Sequence, residues 1–465
     1  MQVFAGEQYA LVAKENRLRP LVERAPRGTI YDRHGQVVAE NTVGYEVSLM
    51  PAPEDSIRAQ LTRLTPLLEL SEDNITGTLR RYRRTPNLPI IVLRDAEPWR
   101  IARLEERRNE FSGVLINEYP KRRYPAGDVM ANIVGYVSEI SEAELLMPEF
   151  AAYRQGRWIG KAGLERQYER VLGGEPGMRY LEVDARGGIK RWLPESMGVP
   201  PIPGRDIHLN IDLDLQRYGA FMLQEAATSL GMEEAQGAFV ALDPRTGGVL
   251  ALYSNPSYDP NLFTGGIPAR VWNELRDDPA KPLLDRATGA AQPPGSTFKM
   301  SMGAMALAAG VIRADEIMPQ ACTGGMTYAG RYQRCWTSHG IRMNLPLGLR
   351  HSCDVYFYQV GIRLGFERFF EMGSRLGFSS KTGIDLPSEI ASLYPESREW
   401  WQRRFGYVPQ PPEIMSLSIG QSAVTMTPLK VAQITSGFAR PDGRIVVPRL
   451  VQTVEPPHHR PFEAP

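Results

Sequence analysis

The sharpest chemical feature of this sequence is Pro293-Pro294-Gly295-Ser296-Thr297-Phe298-Lys299. Pro and Gly end a loop there, and Ser296 opens a helix rich in Met, Ala and Leu. Lys299 comes three residues later, on the same helical face, so its amine can approach the serine hydroxyl. A serine is a weak nucleophile until a base takes its proton. A lysine partly desolvated in a cleft can be that base, because burial lowers its pKa. The helix start also offers a positive dipole end to a developing oxyanion. A plainer reading makes Ser296 an N-cap and Lys299 a solvated charge, since a bare S-x-x-K recurs in many chains.

A second cluster holds sulfur. Cys322, Cys335 and Cys353 are the only cysteines, and all three fall in one window with His339. Twelve residues separate the first pair, three lie between Cys335 and His339, and thirteen precede Cys353. Cys-x3-His is a close ligand pair, and the four residues would complete a closed tetrahedral Cys3His zinc site. Small buried cysteines or a disulfide between two of them account for the same residues. An odd count argues against a full disulfide framework. The other histidines, His34, His208, His351, His458 and His459, are scattered.

The elements that must position these groups show in the hydrophobic pattern. Val37–Ala39 and Tyr45–Leu49 read as strands, Ser56–Arg84 as helices, and Ile90–Leu93 and Val114–Asn117 as strands around a helical Trp99–Glu110. Tyr124–Tyr136 and Gly160–Gly177 read as connectors between lobes. Past Gly204 the texture changes. Asp206–Asp212 reads as a strand and Leu213–Leu230 as an amphipathic helix. Gly237–Asp243 and Val249–Ser254 form a hairpin around Pro244-Arg245-Thr246-Gly247-Gly248. Helices are predicted over Phe298–Val311, Leu347–Leu364, Phe366–Leu376 and Pro428–Phe438. This mixture predicts an α+β fold with an antiparallel sheet packed between helices.

Composition narrows the function. The 465 residues suffice for two or three domains, with 42% apolar and 23% charged residues. Lys+Arg 54 against Asp+Glu 53 leaves almost no net charge, which argues against a nucleic-acid surface. No stretch reaches the roughly 18–20 apolar residues that span a bilayer. Met1–Pro20, with Glu7, Lys14, Glu15 and Arg17, lacks a signal-peptide apolar core. Taken literally, this is a soluble cytoplasmic chain. Taken as a cut piece, its anchor has been removed.

With its flanking Pro-Pro-Gly and Phe298, the Ser296 segment resembles the first active-site motif of penicillin-binding transpeptidases. The match runs along nearly the whole chain. Arg27–Gly35 is similar to the "RG-x-I-x-DRNG" box of the class B enzymes, with His34 in place of Asn. Arg123–Tyr136, Gly160–Gly177, Ile211–Gln216 and Gly237–Phe263 follow in the family's order. No segment resembles a glycosyltransferase, which points to class B. Ser352-Cys353-Asp354, followed by Val355-Tyr356-Phe357-Tyr358, is similar to the S-x-D second motif of the elongation-specific penicillin-binding protein 2 branch. Lys381-Thr382-Gly383 matches K-[ST]-G, yet its continuation Ile384-Asp385-Leu386-Pro387-Ser388-Glu389 resembles the family's "TGIDLP-x-E" turn outside the cleft. The family's catalytic K-[ST]-G follows Ile419-Gly420-Gln421-Ser422, and the sequence reaches Pro465 without one.

The resemblance implies an extended N-terminal pedestal domain, residues 1–205 with a head near 55–125, followed by a serine β-lactamase-like transpeptidase domain, residues 206–465, lacking its C-terminal part. It implies that Ser296 forms an acyl-enzyme with the D-Ala–D-Ala of a stem peptide, with Lys299 as base. Ser352 would relay a proton and Asp354 would orient the lysines. An amine of a second stem peptide would then take the acyl group, and β-lactams would acylate the same serine. Zn2+ would be structural, as some members of the branch bind zinc here through Asp, His and Cys; catalysis would need no cofactor. Partners would be the RodA glycosyltransferase and the MreC scaffold, at the periplasmic face of a bacterial inner membrane. A chain cut at both ends would be impaired for lack of the K-[ST]-G strand. A D,D-carboxypeptidase or β-lactamase is disfavoured by the long N-terminal region, and a non-catalytic β-lactam sensor is the alternative of another class.

Overall fold

The computed structural model describes residues 18–84, 89–111, 113–183 and 189–456. Most of the N-terminal stretch Met1–Pro20, and His458 and His459, lie outside them. The chain forms two compact units: Met1–Leu209 with Asp259–Glu274 and Thr453–Pro465, and Asn210–Tyr258 with Leu275–Gln452.

In the first unit, β1 (Leu18–Glu23) pairs antiparallel with β6 (Gly177–Val183). Strand β2 (Ile30–Tyr31) pairs with β3, and β7 (Ile207–Leu209) lies parallel to β2. The two strands expected over Val37–Leu49 are one, β3 (Val37–Leu49), because β5 (Val114–Arg123) pairs with it without a break from Glu40 to Leu49. Beyond it, α1 (Glu54–Leu68) and α2 (Glu72–Arg84) lead to β4 (Ile90–Leu93), and α3 (Pro98–Glu106) follows. Ile57, Leu61, Leu64 and Leu68 recur at three and four residues along α1 and pack on Ile90, Val92 and Leu104.

The segments read as connectors carry a buried ion cluster. Arg27 reaches Glu165 and Glu169 at 2.8 Å, and Arg122 reaches Glu165 at 2.6 Å. Burial opposes charge on Glu165, but Arg122 and Arg27 hold its carboxyl below the usual range. Charge in a sequence cannot reveal such pairing, because the partners of Arg27 lie well over a hundred positions away.

In the second unit, α4 (Leu213–Ser229) packs on the antiparallel hairpin of β8 (Gly237–Leu242) and β9 (Val249–Asn255). Gln216, fully buried, holds both the N–H and the carbonyl of Leu252 at 2.8 Å. The helices that carry the chemistry lie in one apolar core. They are α5 (Lys299–Ala308), α6 (Leu345–Arg350), α7 (Asp354–Arg375) and α8 (Glu413–Ser418), with α9 (Pro428–Phe438) beside them. The break expected near Gly365 is a kink inside α7, where Gly365 takes φ 72° and the helix resumes. A two-stranded hairpin, β10 (Gly325–Tyr328) and β11 (Arg331–Arg334), precedes α6.

Candidate active site and metal centre

Ser296 does not open an α-helix. Gly295 takes the left-handed φ of +57°, Gly295–Phe298 form a 3-10 turn, and α5 starts only at Lys299. No side-chain cap bond forms at the turn, so Ser296 is not an N-cap. Its hydroxyl is exposed and is hydrogen-bonded to the Ser352 hydroxyl at 2.9 Å. Lys299 is no solvated charge either: 1% of it is exposed.

The lysine's three N–H groups each find an acceptor. Nζ donates to the carbonyl of Ser352 at 2.8 Å, to Ser352 Oγ at 3.1 Å and to Asp354 Oδ1 at 2.5 Å. The link from Lys299 to Ser296 therefore runs through the hydroxyl of Ser352. The spacing of S-x-x-K puts the two on one face, but only the turn between α6 and α7 completes the chain between them. That turn is strained. Ser352 has φ +47°, a left-handed conformation costing a non-glycine residue about 1–2 kcal/mol. Asp354 then starts α7, where its carboxylate meets the positive helix end.

Gly420 supports the serine from the other side. Its carbonyl accepts the Gly295 N–H at 3.0 Å, and its φ is +70°. A Cβ there would stand 2.6 Å from both Gly295 O and Phe298 Cβ. Sequence reasoning marked the segment without seeing that Gly420 braces the serine turn.

The four sulfur and imidazole residues converge. One ligand atom from each of Cys322, Cys335, His339 and Cys353 lies within 4.8 Å of the others. His339 Nδ1 stands 3.2 Å from Cys322 Sγ and 3.9 Å from Cys335 Sγ. The three cysteines are buried free thiols, and the buried His339 Nε2 has no hydrogen-bond partner. Burial pushes the Cys322 thiol up, but His339 and the main-chain amides of Gly324 and His339 outweigh it and bring it down to about 7. Burial pushes Cys353 up to about 12, with Cys322 adding to it. Three thiols and an imidazole gathered at this separation fit a tetrahedral metal ion of the zinc type.

Lys381-Thr382-Gly383 lies elsewhere in use. The Glu389 carboxylate accepts the N–H of Thr382 at 2.5 Å and of Gly383 at 3.1 Å, and no strand includes the triplet. Its backbone donors are spent inside a turn.

The families described as Penicillin-binding Protein dimerisation domain and Penicillin binding protein transpeptidase domain match residues 22–209 and 237–464. The "Peptidoglycan D,D-transpeptidase MrdA" of Escherichia coli is 35% identical over 97% of this chain and 70% of its own length. The chain belongs to the class B penicillin-binding proteins, in the MrdA-type penicillin-binding protein 2 branch. Among solved structures, penicillin-binding protein 2 of Helicobacter pylori in complex with MreC is similar, with a TM-score of 0.77 and 26% identity over 95% of this chain and 81% of that one. Penicillin-binding protein 2 of Pseudomonas aeruginosa in complex with WCK 5153 follows, at 0.65 and 29% over 96% and 75%. As a member of this branch, the chain is a serine-type peptidoglycan D,D-transpeptidase of cell-wall elongation, with a dimerisation domain ahead of a transpeptidase domain.

Proposed function

We propose that Ser296 is the acylated nucleophile, Lys299 its base, Ser352 the proton relay and Asp354 the group that holds Lys299 in place. The observation that carries this reading is the chain Lys299 Nζ–Ser352 Oγ–Ser296 Oγ, at 3.1 and 2.9 Å. Once Lys299 has released to solvent the proton it points at Ser352 Oγ, leaving the amine lone pair there, Ser296 Oγ attacks the carbonyl of the penultimate D-Ala of a stem peptide. Its proton passes to Ser352, and the Ser352 proton to Lys299. As the tetrahedral centre collapses, the C–N bond breaks and the proton returns through Ser352 to the leaving D-Ala amine. The amine of a second stem peptide reverses these steps and takes the acyl group. The Asp354 carboxylate, 2.5 Å from Lys299, stabilises the ammonium formed midway.

We assign Cys322, Cys335, His339 and Cys353 to one structural Zn2+, which would tie the loop before α6 to the start of α7. Catalysis uses no cofactor. We divide the chain into a pedestal, residues 1–205 with a head near 55–125, and a transpeptidase domain, residues 206–465; the two family matches support this division. The chain acts on the periplasmic side of a bacterial inner membrane, held there by an anchor. No helix of the described residues is long and apolar enough to cross a membrane. MreC is a partner on this reading, supported by the Helicobacter pylori complex, and a RodA-type glycosyltransferase is the second.

The test is labelling with a fluorescent penicillin. Wild-type protein takes the label and Ser296→Ala does not. Persistent labelling of that variant removes the assignment.

A further inference from the structure

Trp336 is 69% exposed, among the most exposed large apolar side chains described. A free indole on a surface swings between rotamers, but this one is tethered. Its Nε1–H is shared between the carbonyl of Ser352 at 3.2 Å and that of His351 at 3.3 Å. Its ring stands edge-on to His339, with centroids 5.4 Å apart. The chain on its N-terminal side is fixed as well, since Tyr358 Oη donates to the carbonyl of Arg334 at 2.8 Å. The Ser352 oxygen that accepts the indole N–H also accepts Lys299 Nζ. Trp336 is thus joined by one hydrogen bond to the residue whose hydroxyl touches Ser296.

We propose that Trp336 is a specificity-determining wall of the acyl-donor site, whose indole face packs against the stem peptide next to the scissile bond while its N–H holds Ser352 in place. The proposal rests on the assignment of Ser296 as nucleophile. Three observations carry it. An exposed indole beside a nucleophile offers a flat apolar face to methyl groups and peptide planes, which make up most of a short alanine-ended peptide. The tether fixes that face before the ligand arrives, which lowers the entropy lost on binding. And Ser352, at φ +47°, needs its geometry held from outside; Trp336 and Lys299 grip the same carbonyl from two different elements.

The two roles separate by substitution. Trp336→Ala removes face and tether, whereas Trp336→Phe keeps an aromatic face without the N–H. In the complete protein, with a D-Ala–D-Ala pentapeptide and an amine acceptor, Trp336→Ala is expected to raise KM about 10-fold and lower kcat about 10-fold. Trp336→Phe is expected to recover KM to within about 3-fold of wild type, leaving kcat low. Thermal melting of both variants should stay within about 2 °C of wild type, which excludes a general loss of packing. Unchanged KM and kcat in Trp336→Ala overturn the proposal, as does an equal loss of both constants in the two variants. Ser296→Ala is labelled in parallel. Its silence beside an unchanged Trp336→Ala overturns the role of Trp336 alone, while its labelling overturns the nucleophile and this proposal together.

Discussion

The main-chain N–H of Asp354 donates to the sulfur of Cys335 at 3.3 Å. One residue earlier in the chain, between the two residues whose side chains grip Lys299, Cys353 places its own sulfur in the same cluster. The S-x-D motif is therefore built into the cysteine cluster, and its two outer side chains both contact Lys299 Nζ.

About one zinc per chain is expected by elemental analysis of the purified protein. Cys322→Ser should reduce that content and lower stability by at least about 2 kcal/mol, read as a fall in Tm of about 4–8 °C. Protein purified without chelator that holds no metal rejects the site. A mapped Cys–Cys crosslink would place a disulfide there instead.

Gly420→Ala should slow penicillin acylation by at least about 10-fold. The added Cβ meets Gly295 O at 2.6 Å, a main-chain atom of the turn that carries Ser296, and φ +70° disfavours any side chain there. The acylation rate is read by stopped reactions with fluorescent penicillin, beside a melting curve. A wild-type rate would mean the serine turn tolerates displacement.

Lys381→Ala should acylate at the wild-type rate, because the Lys381-Thr382-Gly383 backbone is held by Glu389. Glu389→Ala leaves two main-chain N–H groups without their acceptor and should cost about 1–3 kcal/mol of stability. A Lys381→Ala variant slowed by about 10² or more would make this triplet the third motif.

Lys430 gives a pH signature. The amine is buried and donates to Gln433 Oε1 at 3.1 Å; burial pulls its pKa down to about 8, against the opposing pull of Glu389. An unfolded lysine titrates near 10.4. Between about pH 8 and 10.4 the unfolded chain binds more protons than the folded one, so this group's contribution to stability rises with pH. Below pH 8 the folded state carries the full cost of the buried charge. Lys430→Met should raise Tm at pH 7, and the gain should shrink by pH 10. A gain that grows with pH contradicts the burial argument.

What the sequence determined by itself was local. Ser296 and Lys299 announce their chemistry through a spacing of three, the cysteines through their gathering in one window, and α1 through leucines at helical period. Short-range covalent geometry sets each of these, so the order of residues suffices. Tertiary structure decided the rest. The hydrogen-bonded link from Ser296 to Lys299 runs through Ser352, 56 residues away, in a backbone conformation that no propensity favours. The brace at Gly420 works through a main-chain approach that its neighbours in sequence do not encode. Trp336 looks like any aromatic until its N–H is seen on the Ser352 carbonyl. Such contacts join residues far apart in the chain, and only the packed core that brings α5, α7 and α8 together fixes them.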